Sequence, residues 1–321
     1  MSQHWSSIKE AGALSGMRFL ILVYKTLGRT GFNIILLPVM AYFFIRRPGA
    51  RRASRDFLRR VRAAYPDSLP KRSITWLSFR HFLAFGHSLL DKYIAWSQTP
   101  TDIAMDPEEE KMLFELVTSG KGCLMIGSHF GNLEYSRGIS GRHPELVINV
   151  LLYDRHAEYF SALMEKAKAD SRMNLIQVTD MDMALAFTLR EKVQRGEWVV
   201  IAGDRVPVGE GGRVCSAEFF GARADFPVGP YVLANLLHCP VYLMHCFLAE
   251  DDYFYRVEFF EEDFQVDRKN RQQAYEKAAQ RFASSLEKQV ARYPLQWFNF
   301  YDFWQAHEEQ EPRESRTLNS D

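Results

Sequence analysis

His129 and Glu134 stand five residues apart in the stretch Leu124-Met125-Ile126-Gly127-Ser128-His129-Phe130-Gly131-Asn132-Leu133-Glu134. An imidazole titrates near neutrality and can take a proton from an alcohol or an amine. A carboxylate nearby can hold the ring in one tautomer and stabilise the imidazolium that forms. Five residues apart on one straight helix, the two side chains would point away from each other. The pair therefore needs a bend between them. The residues supply one: an apolar run that reads as a buried strand ending at the His, a turn at Gly131, and a helix start carrying the carboxylate. This puts the imidazole at the carboxyl end of a strand, where open α/β sheets build their sites. On spacing alone, a surface His and a first-turn Glu favoured by the helix dipole are the commoner explanation of such a pair.

Two further strand ends bear on the choice. Val199-Val200-Ile201-Ala202-Gly203-Asp204-Arg205 is again an apolar run that stops at glycine and charge. Tyr153-Asp154-Arg155-His156 closes another. If the strands are parallel, Asp204, Arg205 and Arg155 share an edge with His129. Downstream, the glycine-rich Val208–Gly212, then Phe219-Phe220-Gly221 and Phe226-Pro227, supply small and aromatic residues able to wall an apolar slot. Each charge alone is ordinary loop solvation; three strand ends meeting at one mouth favour a site.

The elements that must position these residues read as an α/β fold: a largely parallel central sheet covered by helices on both faces, with an N-terminal membrane-associated helical segment. Strands are expected at 123–128, 146–153, 174–178, 197–202, 240–248 and 253–260, the last two as an antiparallel hairpin. Helices are expected at 107–119, 131–140, 156–170, 181–195, 229–238 and 270–292. The division expected is a hydrophobic and basic helical region over 1–104, an α/β domain over 105–304, and an acidic, disordered tail over 305–321.

Net charge is zero over 321 residues, but residues 1–62 hold twelve Lys/Arg against two Asp/Glu. That asymmetry points to an anionic surface as partner. The apolar run Thr30–Ile45, with Pro38 inside it, is short for a bilayer span and has basic flanks on both sides. An in-plane or re-entrant arrangement keeps both flanks at one headgroup layer. Arg51–Tyr65 has the periodicity of a basic amphipathic helix, with Arg51, Arg52, Arg55, Arg59 and Arg62 opposite its apolar stripe. His81 and His87 lie in an apolar helical stretch and read as packed residues. Cys123, Cys215, Cys239 and Cys246 form no metal or redox pair and read as reduced thiols. No P-loop, dinucleotide fingerprint or nucleophile elbow is present, and no metal is expected.

The His-Phe-Gly-Asn-Leu-Glu segment resembles the histidine, four residues, acidic residue motif of the glycerolipid and lysophospholipid acyltransferase superfamily, and more narrowly its bacterial lipid A biosynthesis acyltransferase branch. Tyr153-Asp154-Arg155, Gly203-Asp204-Arg205, Phe219-Phe220-Gly221 with Phe226-Pro227, and Tyr293-Pro294-Leu295-Gln296-Trp297 resemble successive blocks of that branch. The likeness runs from about residue 17 to residue 304. It departs in two places: Arg205 stands where the branch commonly has Gln, and Phe298-Asn299-Phe300-Tyr301 replaces a basic continuation. These departures bear on the acceptor rather than on the chemistry.

The resemblance implies acyl transfer from a thioester of acyl carrier protein or coenzyme A to a hydroxyl of a lipid or glycolipid. It implies a site on the cytoplasmic face of the inner membrane and no cofactor beyond the co-substrate. His129 would be the base and Glu134 its orienting partner. Amides near Gly131 and Asn132 would meet the oxyanion, and Arg155, Asp204, Arg205 and Phe220 would line the substrate site. A non-catalytic lipid-binding protein and a thioesterase-like hydrolase are the rival readings. The first has no need of both His129 and Glu134; the second ordinarily uses a nucleophile elbow.

Overall fold

A computed structural model describes residues 11–98, 104–143, 145–152, 173–178, 183–206, 213–250, 252–261, 264 and 269–304. The expected helix at 156–170, the Tyr153-Asp154-Arg155 strand end, the Val208–Gly212 loop and the tail from 305 lie outside the described residues.

Three helices come first: α1 (Ala11–Arg46), α2 (Pro48–Ala64) and α3 (Ile74–Ser97). Alternation then begins with β1 (Ala104–Met105), α4 (Pro107–Thr118), β2 (Leu124–Gly127), a 3-10 turn at Leu133–Ser136, α5 (Arg137–Arg142), β3 (Ile148–Leu152) and β4 (Met173–Gln177). It continues with α6 (Met183–Gln194), β5 (Trp198–Ala202), β6 (Val214–Phe219), β7 (Ala222–Pro227), α7 (Gly229–Leu237), β8 (Val241–Ala249), β9 (Asp252–Phe259) and α8 (Arg271–Arg292). Local chemistry sets several of these boundaries. Ser73 accepts from the Trp76 amide at the start of α3. Asp106 caps α4 ahead of Pro107 and three glutamates in its first turn, where the helix dipole favours them.

The main sheet has seven strands in the order β1-β9-β8-β2-β5-β3-β4. β8, β2, β5, β3 and β4 run parallel. β9 returns antiparallel to β8, as the hairpin pattern predicts, and β1 then adds parallel to β9. The fold is thus mixed α/β with a mostly parallel sheet flanked by helices. Successive residues of the central strands serve opposite faces. Leu124, Ile126, Val199 and Ile201 enter one buried cluster, while Cys123, Met125, Trp198 and Val200 enter the other. Burial on both faces explains why these strands are continuously apolar rather than alternating.

Two expectations need correction. The helix expected at 131–140 begins only at Leu133, because Phe130 and Gly131 are held in isolated β-bridges to Trp297 and Cys246. The segment 214–227, read as a loop walling a slot, is a two-stranded hairpin. Its turn residues, Phe220 and Gly221, both have positive φ, the geometry in which a two-residue turn matches strand twist. The usual Asn-Gly or Asp-Gly signal is replaced by Phe-Gly, which hides the turn in an apolar stretch.

α1 is one long helix broken at Gly28, whose φ of 68° no L-residue adopts readily. Its stretch Arg18–Arg46 is long and apolar enough to cross a membrane by length and composition.

Candidate active site

β2 and β5 are adjacent parallel strands, so His129 and Asp204 leave the sheet at the same edge. Gly203 extends the pairing one step, donating its amide to the Gly127 carbonyl. It has no room for a side chain: a Cβ there would come within 2.8 Å of Ile126. The chain beyond β5 is thereby held tight, and Asp204 is 1% exposed.

The Asp204 carboxylate accepts three hydrogen bonds. Oδ1 receives His129 Nδ1 at 2.8 Å. Oδ2 receives the His129 backbone amide at 2.8 Å and Trp297 Nε1 at 3.0 Å. Burial alone would raise the pKa of this carboxyl, but the contacts with His129 and the nearby Arg205 outweigh it, and the group is held below its ordinary value. It is therefore ionised and can only accept. Nδ1 of a neutral His129 must carry the proton, which leaves the lone pair on Nε2. Among the described residues no group hydrogen-bonds Nε2, and a third of the imidazole side chain is open to solvent. The imidazole pKa is lowered, first by desolvation and then by the charges of Arg205 and Lys92, against the opposing pull of Asp204. The ring is neutral at physiological pH and ready to accept a proton.

Glu134 is placed elsewhere than its spacing suggests. Its Oε1 pairs with Lys92 Nζ of α3 at 2.9 Å, both side chains being about one-fifth exposed. With its amide oriented to satisfy both neighbours, Asn132 donates to Glu134 Oε2 at 2.7 Å and accepts from the Lys92 amide at 3.2 Å. The carboxylate that binds the imidazole is thus Asp204, and Glu134 instead ties the loop after β2 to α3.

The amides expected to meet an oxyanion are also committed. Gly131 N donates to the Gln296 carbonyl at 2.8 Å and Asn132 N to the Cys246 carbonyl at 2.7 Å. Gly131, at φ 68°, sits where a Cβ would fall 1.9 Å from the Cys246 oxygen. Its role is close approach of the loop to β8. Phe220 likewise lines no slot: it is buried and packs edge-on against Phe57, Tyr65 and Phe219. Arg205 does lie at the site edge, where Nη2 donates to the Phe298 carbonyl at 2.9 Å. Arg155 lies outside the described residues.

Sequence reasoning missed the third wall. Residues 297–301 run beside both strand ends. Phe298 N donates to the His129 carbonyl, Trp297 reaches Asp204, and the Tyr301 hydroxyl lies 3.5 Å from the Asp204 carbonyl. The Tyr-Pro-Leu-Gln-Trp block was the available signal, but nothing in its spacing tied it to His129. Lys92 was missed for the same reason.

Cys123, Cys215 and Cys246 are buried, and burial raises each thiol's pKa, which suits packing rather than nucleophilic attack. Among the described residues no three His, Cys, Asp or Glu side chains gather as metal ligands. The arrangement is a general base with an ionised orienting partner, set at a sheet edge beside two cations.

Residues 83–306, well over half the chain, match the family model described as bacterial lipid A biosynthesis acyltransferase. No curated protein matches the chain.

Proposed function

The chain belongs to the bacterial lipid A biosynthesis acyltransferase family, and from that premise we propose that it moves a fatty acyl group from an acyl carrier protein or coenzyme A thioester to a hydroxyl of a lipid or glycolipid acceptor at a membrane surface. The observation that carries this reading is the His129–Asp204 pair with Nε2 left open.

In the proposed reaction the acceptor hydroxyl gives its proton to His129 Nε2 as its oxygen attacks the thioester carbonyl. The C–O bond forms and the carbonyl π electrons move onto oxygen. The tetrahedral intermediate collapses, the C–S bond breaks, and the departing thiolate takes the proton back from Nε2. Asp204 holds the tautomer and stabilises the imidazolium between the two transfers. The positive field of Arg205 and Lys92 suits the charge that builds on the carbonyl oxygen. Arg155 remains a candidate for an anionic headgroup or for the donor arm, because a guanidinium fork matches phosphate and carboxylate. Glu134 supports the site through Lys92 and Asn132. No acyl-enzyme and no cofactor are required.

The test incubates the purified protein with radiolabelled acyl-acyl carrier protein or acyl-coenzyme A and bacterial membrane lipids. Both lipid-bound acyl groups and free fatty acid are counted. Label in lipid supports the reading. Label only in free fatty acid would reassign the protein as a thioesterase, and label in neither product would favour a lipid-binding role.

A further inference from the structure

Among the described residues the outward face of α1 has no partner, and its setting decides how it can meet a bilayer. From Lys25 to Phe44, α1 runs antiparallel along α3. Lys25 lies over Tyr93, Arg29 pairs with Asp91 at 2.6 Å, and Phe32 meets His87. Leu36 and Met40 close on Gly86, and Phe44 packs on Phe79 and Phe82. α3 is in turn fastened to the candidate active site near both of its ends. His81 Nε2 bonds the Trp297 carbonyl at 2.9 Å, and Lys92 holds Glu134. The 24 residues of α3 extend roughly 36 Å, more than the roughly 30 Å hydrocarbon core. If α1 crossed the bilayer, α3 would cross beside it and draw His129 and the sheet edge into hydrocarbon.

The rest of the face agrees with a shallow seat. Leu36 and Met40 are buried, whereas Phe19, Leu22, Leu27, Ile34, Leu37 and Ile45 are each more than half exposed. Ile34, Leu37 and Ile45 form one stripe at helical spacing, opposite the buried Phe32, Leu36 and Met40. Exposed basic residues stand before and after the stripe along the chain: Arg18, Lys25 and Arg29 precede it, and Arg46 and Arg52 follow it. An apolar stripe with cations before and after it is the pattern of a helix lying in the headgroup and acyl boundary of an anionic leaflet.

We propose that α1 beds lengthwise into one leaflet of an anionic membrane, with both of its ends on the same side, and holds the His129 mouth at the lipid surface. The proposal refines the membrane-surface part of the function above. Its test reads topology and not acyl transfer, so the two can fail separately.

Gly16→Cys, near the start of α1, and Gly49→Cys, just past its end in the first turn of α2, each with open space at the Cβ position, are placed singly in the full chain. They are labelled with a membrane-impermeant maleimide in inverted membrane vesicles and in intact spheroplasts, with the wild-type chain as blank. Both sites should label in the same preparation and both should stay dark in the other. Labelling of one site in each preparation would overturn the proposal, as would recovery of the protein wholly in the soluble fraction. Ile34→Glu with Leu37→Glu, both solvent-facing, should keep the wild-type thermal midpoint yet lower the membrane-bound to soluble ratio at least tenfold. An unchanged ratio would also overturn it.

Discussion

Trp297 Nε1 and the backbone amide of His129 donate to the same oxygen of Asp204. The indole thus fixes the carboxylate that fixes the imidazole, from a segment reached 93 residues later in the chain. Trp297→Phe keeps an aromatic ring against Phe57, Phe219 and Phe303 but removes the donor and part of the buried indole volume. A hydrogen bond to a charged group contributes roughly 1.5–3 kcal/mol, and the lost ring volume adds a cavity cost, so the stability loss should reach at least that range. A carboxylate that loses a donor binds imidazolium more strongly, so the acid limb of the rate profile should move to higher pH. A Trp with a purely packing role would leave that limb in place.

Asp204→Asn tests the tautomer argument. The carboxylate serves three donors with two oxygens, and an amide offers one oxygen, so a donor is left unmet. The plateau rate should fall by roughly 10²–10⁴, the usual span for a positioned general base. Asp204 raises the His129 pKa, so its neutralisation should also move the acid limb to lower pH. Arg205 lowers that pKa, and Arg205→Gln should move the limb the opposite way. Matching displacements in the two variants would count against Asp204 and Arg205 acting electrostatically on the imidazole.

Much of this site was legible in the sequence, and the part that was not has a physical reason. Apolar runs ending at His129 and at Asp204-Arg205 put both residues on one edge if their strands are parallel, and β2 and β5 are parallel neighbours. The assignment of the ring's partner to Glu134 rested on closeness in the chain. Strand adjacency decides instead: β2 pairs with β5, which brings Asp204 to Nδ1, while Gly131 and Asn132 stay hydrogen-bonded to Gln296 and Cys246 and carry Glu134 to Lys92. The hairpin 214–227 went unread because Phe220-Gly221 lacks the polar signature of its turn, and the Trp297 contact is long-range with no local pattern to announce it.

Glu134 and Lys92 should behave as a unit. Glu134→Gln keeps an acceptor for Asn132 and should cost less activity than Glu134→Ala, which releases both partners. In a double-mutant cycle, Lys92→Met should lose little further stability once Glu134 is gone, with a coupling of roughly 0.5–3 kcal/mol for groups in one network. Additive losses would show that the pair does not hold the loop to α3.

Gly131→Ala should harm folding before chemistry. The residue has a φ of 68° and its Cβ would strike the Cys246 carbonyl. Overpacking and left-handed strain together cost roughly 2–5 kcal/mol. A lowered denaturation midpoint should accompany any activity loss. A variant of wild-type stability lacking only turnover would restore the Gly131 amide as a participant in the reaction.

Acid should loosen the molecule through two histidines that take no part in the proposed reaction. Burial lowers the pKa of His81 and of His245 from 6.5 to about 4. His81 donates from Nε2 to the Trp297 carbonyl, and Nδ1 lies 3.0 Å from Ser54 Oγ. Protonation at Nδ1 would bring the two groups together as donors unless the serine hydroxyl turns away. The folded pKa is depressed, so the unfolded chain binds more protons below pH 6.5. The stabilisation is complete above that value, declines as pH falls, and is exhausted near pH 4. These two groups together contribute at most about 2.7 kcal/mol per pH unit to the slope. Urea denaturation at pH 7, 6 and 5 should show the decline, and His81→Gln should flatten it by up to about 1.4 kcal/mol per pH unit. Because His81 holds Trp297 and Trp297 holds Asp204, acyl transfer by wild-type protein returned from pH 5 to pH 7 should recover in step with folding; a slope unchanged in His81→Gln would place the acid sensitivity elsewhere.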